Sequence, residues 1–495
     1  MTPHEKVVDI TERFGARATT SAAERHVADW FAEQCEHYGL NVDMHEFNTV
    51  RSPGYAQALL YIIPIIIVLA SRFVLTIPAV GWLFVLLLIA DVALLALQLQ
   101  GRGVLEAILP KGPSQNVIAR CNTSPTGERQ RKILLVTHLD TPLISPLNTE
   151  STAALHRRLT TFSFYYLVVA IFIMGFLTCN FAFMEFDLFK MTVDAQLWVW
   201  VVMAVLSAVP AILGLNALLM PIGRKQSPGA NDSASGIAVL LSVFEEVAHE
   251  RGGSFETHEM HAAHTHPAAP VASMRQASNF GEPALTEWLD LDNTFDARST
   301  GASIGSWDNF ESTTGTMELS SPSHGQATQP MRSIASNTGH RLDGFSATLE
   351  GKEVWFVATG ARHSDAAGMR ALLADFGEDL RDALIVNLES VGFGNLHWCA
   401  HEAAPLTVSI SSRVMSLAKR AAREKELRIS AFKGKTGVTD ATPALFHHHK
   451  AGNITRLLGS GFPEAYRAAD DLPDVCDERL LEETVTFVLE FLAQA

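Results

Sequence analysis

The sequence predicts an α/β protein: a three-layer αβα sheet interrupted by two pairs of apolar helices and one long polar insertion. Three observations carry that expectation. Lys132-Ile-Leu-Leu-Val-Thr137, Lys352-Glu-Val-Trp-Phe-Val-Ala-Thr359 and Asp382-Ala-Leu-Ile-Val-Asn-Leu388 are short, nearly continuous apolar runs of the kind that become strands buried on both faces. The hydrophobic fraction, 47% of 495 residues, is concentrated in two blocks rather than spread along the chain. Between about Gly252 and Arg341 the chain turns rich in Ser, Thr, Gly, Ala and His, with few aliphatic residues and no lasting periodicity.

Taken in order, residues 4 to 47 read as two helices, Val7 to Phe14 and Ser21 to Tyr38, and a strand from Gly39 to Phe47. Val27, Trp30 and Phe31 fall at helical spacing. The first apolar block, Tyr55 to Gln98, breaks near Arg72 and Pro78 and is long enough for two spans of about 20 residues. Sheet pattern resumes over Ser114 to Cys121 and in the strand before His138. A second block supplies uncharged runs at 162 to 184 and 196 to 221, with Tyr165, Tyr166, Trp198 and Trp200 expected at the membrane interfaces. A helix from Ile237 to Glu250 precedes the polar tract. After it come the strand at 352 to 359, a helix from Gly368 to Phe376, the strand that ends in Glu389, a helix from Ser411 to Lys425, a strand from Asn453 to Gly459 and a closing helix from Asp477 to Ala495. The expected sheet domain therefore comprises 1–54, 100–160, 223–251 and 346–495, with hairpins at 55–99 and 161–222 and a disordered insertion at 252–345.

Charge and composition narrow the class. A net charge of −15 argues against a nucleic-acid partner. Five scattered cysteines fit a reducing compartment and show no ligand spacing. Met1 to Phe47 lacks the basic, apolar and cleavable regions of a secretory signal. Arg51, Arg102, Lys111, Arg157, Arg158, Arg224 and Lys225 flank the apolar runs on the side of the sheet domain, whereas the turns within each pair offer only Arg72 and Lys190. By the positive-inside rule this is a multi-pass protein of the cell membrane, in contact with the lipid bilayer, with its soluble domain facing the cytoplasm. Buried helices of a soluble protein are the competing reading, but four uncharged runs of this length rarely occur in one soluble domain. Asp91, an acid within the second run, is a functional candidate that hydration or a neighbouring helix also explains. His258, His261, His264 and His266 lie in the polar tract and read as solvated.

The octet Gly229-Ala-Asn-Asp232-Ser-Ala-Ser-Gly236 and the tetrapeptide Thr137-His-Leu-Asp140 carry the chemistry. His138 and Asp140 follow a buried strand, so they lie at its carboxyl edge, where α/β sheets place ligands. Small residues around Asp232 let the backbone approach whatever that carboxylate binds. A carboxylate and a histidine so placed can share one metal ion.

With Phe356 to Gly368, Asn387-Leu-Glu389-Ser-Val-Gly392 and Tyr466 to Asp471, these motifs resemble the co-catalytic zinc aminopeptidases of peptidase family M twenty-eight, relatives of glutamate carboxypeptidase and the transferrin receptor. The likeness covers about residues 4–52, 112–145, 226–250 and 350–495. It implies a three-layer αβα zinc-exopeptidase sheet (phosphorylase/hydrolase-like), with His138, Asp232 and Glu389 as metal ligands and Asp140 as the carboxylate that orients the histidine. In the family, two dications polarise the scissile carbonyl while a glutamate moves the proton. Here the base position holds Arg362, and the second metal's ligand positions hold His363 and Arg467. A guanidinium about 5 Å from a dication repels it by roughly 6 to 7 kcal/mol at an effective dielectric of about 20. The resemblance thus implies room for one zinc ion but not two, with Arg362 or Arg467 paired to Asp232 in place of the second.

Two functions stay open from the sequence. One is a degenerate, non-catalytic or single-metal peptidase homologue that binds a protein or peptide ligand. The other is an active membrane-bound zinc aminopeptidase whose base is replaced by His363 or Asp365, with a replacement ligand from His447, His448 and His449 unless, as the simpler reading has it, that triplet is an exposed helix end or turn. Transport is weaker, because the apolar runs carry almost no polar residues to line a path.

Overall fold

In the computed structural model the described residues are 1–74, 77–122, 130–145, 147, 149–182, 192–223, 225–250, 349, 351–435 and 437–495. Arg224, Lys190 and the insertion with its four histidines lie outside them.

Two helices open the chain, α1 (Pro3–Phe14) and α2 (Ala22–His37). Each starts at a hydroxyl cap. Thr2 and Glu5 form a reciprocal capping box on α1, and the Ser21 side chain accepts from the Glu24 amide on α2. The strands are β1 (Asn41–Val50), β2 (Lys111–Asn122), β3 (Arg131–His138), β4 (Lys352–Thr359), β5 (Leu384–Leu388), β6 (Asn395–Glu402), β7 (Val408–Ser409), β8 (Ile429–Lys435) and β9 (Lys450–Leu457). They form one mixed sheet in the order β1-β2-β4-β3-β5-β9-β6-β7, with β8 paired to β6. The centre, β4-β3-β5-β9, is parallel. Along the central strands successive side chains divide between two cores. Ile133, Leu135, Val354 and Phe356 face one, and Leu134, Val136, Trp355 and Val357 face the other. The first core is closed by α1, α2, α8 (Ser235–Glu250), α10 (Ser412–Glu424) and α12 (Glu478–Gln494). The second is closed by α9 (Ala367–Phe376) and the short α11 (Ala441–Phe446). This is the expected αβα layering, for the reason the sequence suggested: runs apolar at every position must be covered twice.

The apolar blocks form α3 (Pro53–Val74), α4 (Pro78–Leu99), α5 (Glu150–Ala182), α6 (Val193–Leu206) and α7 (Ala208–Gly223). By length and composition they supply four helices able to cross a membrane, with α6 and α7 counting as one. They share a core of their own, including Leu60, Val68, Leu88, Leu95, Leu167 and Met174. Their outer faces are apolar as well. Among the described residues, every exposed large hydrophobic side chain except those of Met1, Ile77, Ile108 and Leu472 lies on these helices. Tyr165 and Trp198 are exposed, but Tyr166 and Trp200 turn inward. The Tyr166 hydroxyl donates to the Met203 carbonyl at 2.6 Å and the Trp200 indole donates to the Val68 carbonyl at 3.2 Å. Both tie helices together rather than marking an interface. Asp91 is 5% exposed on α4.

Candidate metal site

The site lies at the carboxyl ends of β3, β4 and β5. His138 is the last residue of β3, and the wide turn Ala230–Ala234 brings Asp232 to it. That turn is drawn out by a five-residue hydrogen bond from the Ala234 amide to the Gly229 carbonyl, and Asp232 leaves helical geometry at φ −116°, ψ 80°. Two glycines make the seat. Gly229 has φ 72°, and a Cβ there would collide with Thr141. A Cβ on Gly236 would meet the Thr137 hydroxyl and, at 2.8 Å, the Leu388 carbonyl, so α8 can start against β3 and β5 only without a side chain at that position.

The His138 Nε2 and Asp232 Oδ1 atoms are 2.8 Å apart, and His363 Nε2 lies 3.9 Å from the same oxygen. The two imidazoles meet edge to face with centroids 5.3 Å apart. Among the described residues these three form a group that could hold a metal ion, each offering one ligand atom within 4.8 Å of the others. Ligands of one tetrahedral zinc stand about 3.3 Å apart for bonds of about 2.05 Å, so modest closure fits the three to a single ion. Further support comes from His363 Nε2, which is buried without a hydrogen-bond partner among the described residues.

Charge is sharply divided here. Burial alone would raise the Asp232 pKa, but the His138 hydrogen bond and the charges of His363, His138 and Arg362 hold it well below the usual carboxylate range. Burial would lower the His138 pKa, yet the hydrogen bond and charge of Asp232, together with Glu389, raise it. His363 is pushed well below 6.5 by burial and by Arg362, so its ring is neutral and free to ligate.

The remaining predicted residues fall in defined places. Glu389, one residue past β5, forms a buried ion pair with Arg362 and also accepts from Asn387 Nδ2 at 3.3 Å. The arginine pairs with Glu389 rather than with Asp232. Asp140 holds the loop after β4, accepting from the amides of Arg362 at 2.9 Å and His363 at 3.0 Å and from the Thr19 hydroxyl at 2.7 Å. His138 Nδ1 has no partner among the described residues. Asp365 accepts from Gln98 at the end of α4. Arg467 stacks over its neighbour Tyr466 at 5.5 Å. The triplet His447 to His449 precedes β9, at the opposite edge of the sheet from the site, and so does not join the group.

Several residues that build the site have no motif of their own. Arg17 is fully buried and donates to the carbonyls of Leu139 at 2.9 Å and Gly229 at 2.9 Å, clamping the two motif loops together. Burial lowers its pKa to about 10, against the charges of Asp471, Asp140 and Asp232. Asp471 accepts from the amides of Asn231 at 2.7 Å and Asp232 at 3.2 Å. Glu24 accepts from the Ala361 amide at 2.6 Å. A lone arginine in a loop carries no periodicity, and of the three only Asp471 lies in a motif, at the end of Tyr466 to Asp471. Ala361, Ser390 and Arg467 all have positive φ, which places left-handed non-glycine backbone on three of the site loops.

No family model matches the chain, and no curated protein matches it by sequence. Solved structures do resemble it. An aminopeptidase from Aneurinibacillus sp. strain AM-1 aligns at TM-score 0.45 and 11% identity over 99% of this chain and 93% of its own. The zinc aminopeptidase BSAP from Bacillus subtilis aligns at 0.45 and 10% over 99% and 93%. A glutaminyl cyclase from Bacteroides thetaiotaomicron aligns at 0.44 and 12% over 99% and 96%. Likenesses this distant carry no argument about individual residues, and the site stands on its own geometry. The structural neighbours of this mixed α/β chain include aminopeptidases, one of them a zinc aminopeptidase, and a glutaminyl cyclase.

Proposed function

We propose that the chain is a four-span membrane protein whose sheet domain holds one zinc ion on His138, Asp232 and His363 and binds a ligand there without hydrolysing it. The observation that carries this reading is the buried pair of Arg362 and Glu389. Metal-assisted hydrolysis in the family relies, beside the ion, on a base free to take a proton from water. The position that the family resemblance assigns to that base is a cation, and the acid beside it is bound to that cation.

Two imidazoles and one carboxylate suit zinc and leave a coordination position open. When bound, the ion would act as a Lewis acid toward a ligand oxygen. The chain's own residues do the rest. Asp140 fixes the loop that carries His363, Asp471 and Arg17 fix the turn that carries Asp232, and Arg362 keeps Glu389 from acting as a base. Peptides and proteins are the ligand classes that the family resemblance suggests. Apolar outer faces on the four helices, with Arg51, Arg102, Lys111 and Lys225 near their ends at the sheet domain, support insertion in the cell membrane with that domain on the cytoplasmic side.

The test is metal content and turnover of the full chain purified in detergent. One equivalent of zinc, lost in Asp232→Ala, with no hydrolysis of amino-acid arylamides is the expected result. Two equivalents would overturn the single-ion site. Turnover that disappears in Asp232→Ala would establish the rival reading, an active aminopeptidase.

A further inference from the structure

We propose that the cavity between this site and the apolar helices takes the anionic head, a phosphate or carboxylate, of a single-chain amphiphile whose tail lies along those helices. The inference names the ligand class of the site and rests on the non-hydrolytic reading above. The cavity measures about 300 Å³, the small end of ligand pockets, enough for a head group and the start of a chain. One wall is the site itself, with Arg362, His363, Glu389 and Arg467. The facing wall comes from the domain-side ends of the helices, with Tyr61 of α3, Thr160 of α5, and Leu213, Ala217 and Met220 of α7. A ligand that fills it meets charge on one side and hydrocarbon on the other.

The charge has a definite sign. Although the chain carries −15 overall, four arginines line this cavity, Arg51, Arg157, Arg362 and Arg467, against two carboxylates, Asp365 and Glu389. Both carboxylates are engaged already, Glu389 by Arg362 and Asp365 by Gln98. Arg157 and Arg467 are not. Among the described residues neither has an acidic partner; Arg157 stacks on the Phe462 ring at 4.6 Å and Arg467 on Tyr466. Among the described residues, Arg467 Nε and the nearby His156 Nδ1 are buried without hydrogen-bond partners. Guanidinium forks with open donors in a low-dielectric wall suit a planar or tetrahedral oxyanion, and they disfavour the ammonium of a peptide amino terminus. Where the helices cross a membrane, their domain-side ends lie at head-group depth, within reach of an anionic head whose chain stays in the bilayer.

The experiment titrates the full chain, in an uncharged detergent, with dodecyl phosphate, inorganic phosphate and dodecyltrimethylammonium, reading affinity by calorimetry and stabilisation by thermal melting. Dodecyl phosphate is expected to bind saturably and at least tenfold tighter than either other probe. Arg157→Gln and Arg467→Gln should each weaken it tenfold or more, whereas Arg467→Lys should retain most of the affinity. Equal affinity for inorganic phosphate would mean a site for a free anion and would overturn the proposal. So would equal affinity for the cationic amphiphile, or unchanged binding in the Arg157→Gln, Arg467→Gln double variant. The comparison among the three probes on wild-type protein decides the matter even if a variant fails to fold. Zinc content and arylamide turnover are measured on the same preparations. Amphiphile binding together with turnover would sink the non-hydrolytic reading and spare this one, and one zinc without amphiphile binding would sink this one alone.

Discussion

The guanidinium of Arg362 is paired with the carboxylate of Glu389, and that leaves Asp232 to the two histidines, His138 and His363. Both members of the arginine pair are about nine-tenths buried. Breaking a pair this deep strands a charge, so Arg362→Ala should lose about 3 to 5 kcal/mol of stability. Replacing both members by apolar residues, Arg362→Met with Glu389→Leu, should recover most of that loss. Denaturant unfolding of the two variants in detergent decides it, and a single variant as stable as wild type would mean the pair contributes nothing.

Metal binding should depend on pH through one proton. His138 has its pKa raised above 6.5, although burial opposes this, because Asp232 and Glu389 favour the imidazolium. An incoming ion must displace that proton. His363 lies well below 6.5 and Asp232 well below the usual carboxylate range, so neither carries a competing proton near neutrality. Zinc affinity should therefore fall about tenfold per pH unit below the His138 pKa and level off above it. A zinc titration between pH 6 and 9 that gave a slope of two, or no slope, would contradict this arrangement.

The sheet was legible wherever one local property sufficed. Continuous apolar runs marked β3, β4 and β5, and the octet marked the turn that carries Asp232. β6 escaped notice because Asn395-Leu-His-Trp-Cys-Ala-His-Glu402 mixes polar and apolar positions, and its strand character depends on its neighbours β8 and β9. The site was legible in its residues and not in its pairings. Arg362 visibly needed an acid, but the choice of Glu389 over Asp232 depends on how Asp140 draws the Arg362 and His363 amides toward β3, a tertiary contact between residues more than 200 positions apart. Arg17 was invisible for the same reason, since its acceptors at Leu139 and Gly229 are remote in sequence.

Gly236 ought to tolerate no side chain, although its φ is ordinary. In Gly236→Ala the new methyl would meet Thr137 and the Leu388 carbonyl, so the first turn of α8 must lift off the sheet. Overpacking of this kind costs about 1 to 3 kcal/mol, and the shift would carry Asp232 away from His138. Reduced melting temperature and reduced zinc retention should appear together. Gly175→Ala, inside α5 where a Cβ meets nothing within 4 Å, is the matched control and should leave stability unchanged or raise it by up to about 1 kcal/mol. Equal effects at the two positions would show that the close approach at Gly236 is not limiting.

Glu402 should make the fold less stable as pH rises. Its side chain is fully buried, with Oε2 accepting from the hydroxyls of Thr439 and Thr442, both at 2.6 Å, and Oε1 without a partner among the described residues. Burial raises its pKa from 4.5 to about 7, the two hydroxyls offsetting only part of the shift. The sign follows from proton counting. Between pH 4.5 and about 7 the folded chain keeps a proton that the unfolded chain has released, so stability is full below 4.5 and is lost as pH climbs through 7. The limiting slope is about 1.4 kcal/mol per pH unit for one proton. Glu402→Gln keeps the acceptor for both threonines and removes the titration, so its unfolding free energy should fall less steeply than that of wild type between pH 5 and 7. Asp365, Asp440, Asp471 and Glu24, also raised by burial to about 6, 6, 7 and 8, would contribute to the slope that is left. Identical slopes in the variant and wild type would mean that Glu402 is already ionised in the folded chain at pH 5.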